Sequence, residues 1–130
     1  MYNFKKFENT NKRTEDRITV TAHNSIGFPT KFYQDNNVGS YKYVILYYDE
    51  GEKALGIQFA SDETEKHKFS LIKNNKGYGG SIVATSFFKV NGIDARVYKN
   101  RYPWEKVAQE GIGELYVIKL KPREQGGTEV

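Results

Sequence analysis

Apolar and polar residues alternate from Arg17 to Ala22, with Ile18, Val20 and Ala22 on one side and Arg17, Thr19 and Thr21 on the other. A period of two predicts a strand with one face in the core and one in solvent. Pro29 and Thr30 then open a short helix through Tyr33, because proline has no amide hydrogen to lose in a first helical turn, and Asn36-Asn37 can end it. Tyr41 to Tyr48, YKYVILYY, is apolar on both faces and reads as a central strand. The DEGEK segment has turn chemistry and returns the chain along Ala54 to Ala60 as the second strand of a hairpin.

The second half follows the same order. Lys68 to Ile72 is predicted as a strand, NNKGYGG from Asn74 as a turn whose glycines supply positive φ, and Ser81 to Ala84 as a short extended segment. Thr85 or Ser86 can cap a helix of one to two turns through Val90, with Gly92 placed for a left-handed residue at its end. Arg96 to Tyr98 is predicted as a strand, RYPW as a loop because Pro103 blocks regular pairing, and Leu115 to Leu120 as the closing strand. Residues 1–16 are polar with scattered Tyr2, Phe4 and Phe7, and read as an arm, disordered or draped over the domain. PREQGGTEV, residues 122–130, reads as a frayed tail.

The parallel order reflects a repeat. NSIGFPTKFYQDNNV around Ser25 and GSIVATSFFKVNGI around Ser81 align at an offset of 56, which matches Ser25-Ile26 with Ser81-Ile82, Phe32 with Phe88 and Asp35 with Asn91. A unit of this length buries little apolar surface alone, so the halves 17–60 and 68–120 should share one core. The expected fold is α+β and β-rich, with two pseudo-symmetric strand-helix-strand-strand units closing one small barrel in a single domain over residues 17–121.

That order resembles the AbrB/MazE-type swapped-hairpin DNA-binding domain over SIGFPTKFYQDNNVGSYKYVILYYDEGEKALGIQF. The shared features are Ile26 and Pro29 before the helix, Phe32 on it, Val38 after it, and YKYVILYYD with ALGIQF as the closing hairpin; the second half echoes them without the proline. Such domains dimerise into a barrel of interleaved hairpins that binds DNA, so the resemblance implies that a tandem copy makes the barrel within one chain. The family usually carries a basic residue where Asn24-Ser25 stand here, which sets the first half apart from family-style base recognition. The layout is also similar to small proteins of bacteria and their phages.

Composition narrows the classes. Among 130 residues there is no cysteine, which removes disulfides and thiolate metal sites and suits a reducing cytoplasm. No stretch approaches the roughly 20 apolar residues of a membrane helix, and no membrane association is expected. The formal charge of +4 permits a polyanionic partner. Its distribution is uneven: eight cations against two acids between Lys68 and Lys106, and six acids against two lysines between Asp49 and Lys66.

Within the basic half, RVYKNRYPWEK interleaves cations with aromatics, and the candidate nucleic-acid-binding residues are Lys73, Lys76, Arg96, Tyr98, Lys99, Arg101, Tyr102 and Trp104. Cations follow phosphates, and exposed rings stack on the bases of single strands; for duplex DNA the cations suffice and the rings belong to the core. Tyr98, Tyr102 and Trp104 equally fit as a plug at one end of a barrel. The catalytic inventory is thin: His23 and His67 lie in polar surroundings without an acid and nucleophile in a recognisable pattern, and read as exposed residues rather than metal ligands. GYGG at Gly77 lacks the GK[ST] of a phosphate loop, and DEGE and SDETE lack calcium-loop spacing. No metal or cofactor is expected. The leading expectation is a non-enzymatic, regulatory protein that binds duplex DNA, with a homodimer allowed. The alternatives are a single-stranded DNA-binding protein of phage or plasmid type, and an antitoxin-like interaction module whose acidic Asp49 to Glu65 edge meets a basic protein.

Overall fold

The computed structural model describes residues 1–8, 10 and 13–122; of the expected frayed tail, everything after Pro122 lies outside the described residues. The first hairpin pairs β1 (Ile18–Val20) with β2 (Ser25–Phe28), and the alternation places Ile18, Val20, Ile26 and Phe28 inside. β1 stops two residues short of the expected Ala22. Thr21 ends it, its Oγ1 accepting from the His23 and Ser25 amides at 3.3 Å each, and Asn24 takes φ 65°. After β2 come α1 (Thr30–Asp35), a single 3₁₀ turn (Val38–Ser40), and the hairpin of β3 (Tyr43–Asp49) with β4 (Ala54–Ala60).

The segment expected as one strand from Lys68 divides into β5 (Phe69–Ser70) and β6 (Ile72–Lys73), which belong to different sheets. Leu71 makes the corner, its amide donating to the Lys42 carbonyl at 3.0 Å. β7 (Gly80–Val83) and α2 (Thr85–Val90) follow; the helix starts from Ala84 without a side-chain cap, so neither Thr85 nor Ser86 caps it. Arg96 to Tyr98 is not a strand: it falls in α3 (Ala95–Tyr98), because the Asp94 carboxylate accepts the Arg96 amide at 3.0 Å and caps a helical turn. The chain ends with β8 (Asn100–Tyr102), β9 (Glu105–Gln109) and β10 (Gly113–Lys119). RYPW is therefore strand through Tyr102 and irregular only at Pro103 and Trp104.

The strands form two five-stranded antiparallel sheets, β6-β7-β2-β1-β8 (sheet A) and β5-β3-β4-β10-β9 (sheet B). At the centre of sheet A, Ile26 stands directly opposite Ile82, the residue the repeat matches it with. At the centre of sheet B the second strands of two hairpins, β4 and β10, pair through Ile57 and Tyr116. The helices match at an offset of 55, since the first copy has one more residue between its central isoleucine and its helix. Phe32 therefore corresponds to Phe87, Tyr33 to Phe88 and Asn36 to Asn91, which corrects the pairing of Phe32 with Phe88. The caps show why: Asn36 Nδ2 donates to the Phe32 carbonyl and Asn91 Nδ2 to the Phe87 carbonyl, both at 2.9 Å. Each is followed by a left-handed residue, Asn37 at φ 54° and Gly92 at φ 66°, and then by buried Val38 or Ile93.

The inner faces of both sheets and the helices enclose one apolar core. Phe32 lies at its middle, stacked on Phe28 at 5.7 Å and edge-on to Trp104 and Tyr116 at 5.1 Å each. Offset and edge-on geometries suit the ring quadrupoles, adding to the burial of large apolar area. Replacing Phe32 or Phe88 by alanine is expected to cost about 3–5 kcal/mol, the usual toll for emptying a phenylalanine site. Asn91→Ala, which removes one helix-end bond, should cost about 0.5–1.5 kcal/mol. Urea unfolding followed by circular dichroism measures both, and equal effects at Phe88 and Asn91 would contradict the packing described.

Candidate nucleic-acid interface

Once the large side chains of sheet A point inward, small or polar residues are left on its outer face. These are Thr19 on β1, Ser25 and Gly27 on β2 and Ser81 on β7, with Val83 and Ile72 toward one edge and Arg101, opposite Thr19, at the other. None of the five strands contains an acidic residue, whereas sheet B carries Asp49, Glu105 and Glu114. Five strands at a spacing of about 4.8 Å make a platform roughly 19 Å across, close to the breadth of a nucleic-acid duplex.

Two shallow depressions mark this face. One is lined by Thr19, Thr21, Lys99 and Arg101; the other by Thr19, Gly27, Tyr78 and the arm residues Arg13 to Glu15. The last part of the arm is thus laid against the sheet. Arg13 holds its guanidinium 5.2 Å from the centre of the half-exposed Tyr78 ring. Glu15 accepts from the Arg17 side chain at 2.9 and 3.0 Å and from the Arg17 amide at 2.8 Å. Those bonds, with the Arg17 and Arg101 charges, pull the Glu15 carboxyl down to about 2.

The eight residues expected to bind do not assemble. Lys99 and Arg101 reach the outer face, and Lys76, at φ 62° in the turn before β7, lies exposed two residues from Tyr78. Lys73 faces the other way, its Nζ donating to the Gly39 carbonyl at 2.8 Å. Arg96 is neutralised by Asp94 through two contacts of 3.1 Å. Tyr98 packs against the core, and its carbonyl accepts the Tyr102 hydroxyl at 2.5 Å. Tyr102 is buried, which pushes its phenol pKa up. Trp104 is edge-on to Phe32 and Tyr116, with Nε1 donating to the Asp16 carbonyl at 2.9 Å. All three rings named as base stackers therefore serve the core.

Arg13, Arg17, Tyr78 and the small-residue floor were not singled out from the sequence. A signal for the floor was present: the positions alternating with buried Ile18, Val20, Ile26 and Ile82 carry neither an acid nor a large aromatic. Arg17 had one too, since it alternates with Ile18 onto the side of Thr19; Arg13 gave none, because its position depends on where the arm lies. His23 and His67 are both exposed, the first in the turn after β1 and the second before β5. Among the described residues no group of three metal-ligating side chains comes together, and no helix is long and apolar enough to cross a membrane. Comparisons with protein-family models, curated proteins and solved structures found no match.

Glu15 supplies a pH test. Its folded pKa lies below the ordinary value of 4.5, so its contribution to stability is fully present above about pH 4.5 and is lost as pH falls toward about 2. The Glu15 side-chain carboxyl carbon should titrate near 2 by NMR, and Arg17→Ala should return it to the ordinary carboxylate range. A wild-type midpoint above 4 would show that the arm does not hold the pair.

Proposed function

We propose that this protein is a non-enzymatic, regulatory DNA-binding protein that lays the outer face of sheet A against duplex DNA. The observation that carries the reading is the separation of charge: Lys99, Arg101 and Arg13 line the outer face of sheet A, whose strands carry no acid and beside which Glu15 is already paired with Arg17, while the strand acids lie on sheet B. Cations at the margins suit phosphates, and the hydroxyls of Thr19, Ser25 and Ser81 suit phosphate oxygens at closer range. Burial of Tyr102 and the core packing of Trp104 favour duplex over single strands, because stacking needs exposed rings and the platform itself carries none.

The finer architecture is part of the same proposal. The two sheets are read as halves of one small barrel, joined at the Leu71 corner and by side-chain packing, and formed by two related units in a single domain over residues 17–121. Central pairing of Ile26 with Ile82, and the paired Asn36 and Asn91 caps, support this tandem arrangement. So does the resemblance to AbrB/MazE-type domains. A cytoplasmic location agrees with the absence of cysteine.

Fluorescence anisotropy with matched duplex and single-stranded oligonucleotides at two salt concentrations tests the reading. Duplex should bind more tightly, and reversing both Lys99 and Arg101 to Glu should weaken it strongly and lower the slope of log K against log salt by about 2. Reversing Lys5 and Lys6 should matter less. An equal loss from both double variants, or a preference for the single strand, would contradict the proposal.

A further inference from the structure

The end of α1 and the strands β4, β9 and β10 enclose a concavity of about 470 Å³. Aromatic side chains form much of its wall. Tyr41 and Phe59 lie 5.9 Å apart with planes tilted by 33°, and Phe59 meets Tyr116 edge-on at 5.6 Å. Tyr116 is fixed in place by its hydroxyl, which donates to Asn36 Oδ1 at 3.1 Å. Two carboxylates stand at the cleft, Asp35 from the first unit and Glu114 from the second.

The cleft already holds a cation of the chain's own. Lys106 places its ammonium 5.5 Å from the centre of the Tyr116 ring and 3.5 Å from a Glu114 oxygen. Its side chain is 47 % exposed, so only the Tyr116 ring and one exposed ion pair hold the ammonium, and the flexible stem can swing it into solvent. An ammonium between an aromatic face and a carboxylate is the arrangement by which proteins recognise organic cations. With Lys106 swung aside, the cleft presents ring faces and the Glu114 carboxylate, beside an Asp35 that is already paired with Lys31 one helical turn away.

We propose that this cleft is a binding site for an organic cation, an alkylammonium or guanidinium group, and that Lys106 is its resident substitute, displaced when the ligand enters. The chemistry has two sources, a small free amine or a basic side chain carried on a partner polypeptide. The site lies away from the sheet A platform and stands or falls independently of DNA binding.

Trp104 provides the readout, because its ring is edge-on to Tyr116 at 5.4 Å. The full chain is titrated with putrescine, and separately with a short end-capped peptide whose only charge is one lysine or one arginine, while tryptophan fluorescence is followed. Saturable binding is expected. Lys106→Met should tighten it roughly three- to tenfold by removing the competing cation, and Glu114→Gln should weaken it by a similar factor. Binding of putrescine and peptide alike identifies a free amine as sufficient; binding of the peptide alone identifies a partner's side chain; either supports the proposal. Tyr41 and Tyr116 ring resonances followed by NMR should shift with the same midpoint, which keeps the test valid if the fluorescence change is small. No saturable binding in either the wild type or Lys106→Met, with circular dichroism showing both folded, would overturn it. Binding indifferent to Glu114→Gln would overturn it equally.

Discussion

The contact on which the rest of the structure depends is the seat of Phe32. Its ring touches Phe28 from sheet A, Tyr116 and Phe59 from sheet B, and Trp104 from the loop between β8 and β9. Neither sheet buries its inner face alone: Phe28 meets Phe59 directly at 5.1 Å, Phe87 of α2 meets Tyr48 of sheet B, and Phe32 of the six-residue α1 inserts between both sheets. Trp104 carries the constraint outward. Locked against Phe32, it fixes the Asp16 carbonyl through its Nε1–H and so sets where the arm joins β1. Arg13, Glu15 and Arg17 are placed on the outer face of sheet A from there. The core thus determines the layout of the exposed platform, through a chain of packing and one hydrogen bond.

The two faces of the molecule then acquire different chemistry for a simple reason. Alternation puts most large apolar side chains of sheet A inside, so its outer face is built mainly from what remains: hydroxyls, a glycine and marginal cations, with Val83 and Ile72 exposed toward one edge. Sheet B brings acids with its strands, and its ion pairs are local, such as Lys106 with Glu114 and Lys119 with Glu52. Exposed pairs like these contribute little to stability, commonly about 0–1 kcal/mol. Their consequence is electrostatic: cations on sheet B are matched with acids, while Lys99 and Arg101 have no acid on neighbouring strands.

Much of the fold was legible because its rules are local. Period-two alternation located β1 and β2, a turn rich in Asp, Glu and Gly located the β3–β4 hairpin, and Asn36-Asn37 and Gly92 marked helix ends. What was not legible depended on competition between local preferences or on distant partners. Arg96, Val97 and Tyr98 have good strand propensity, yet the Asp94 cap makes a helical turn cheaper. β9, with the sequence EKVAQ, is polar enough to read as loop and is a strand only because β10 pairs with it. At the candidate site, RVYKNRYPWEK carries the same residue types whether its rings stack on bases or fill a core, and only the position of Phe32 decides between them. Lys99 and Arg101 reach the outer face of sheet A because alternation from Tyr102 places them outward.

The central claim is that sheet A, not sheet B, is the face that meets DNA. Amide chemical-shift mapping of the isotopically labelled chain with a short duplex measures this directly. The account predicts shifts confined to Thr19, Ser25, Gly27, Ser81, Lys99 and Arg101 and their neighbours, with β3, β4 and β9 unmoved. Perturbations centred on β3 and β9, or spread evenly over both sheets, would contradict it.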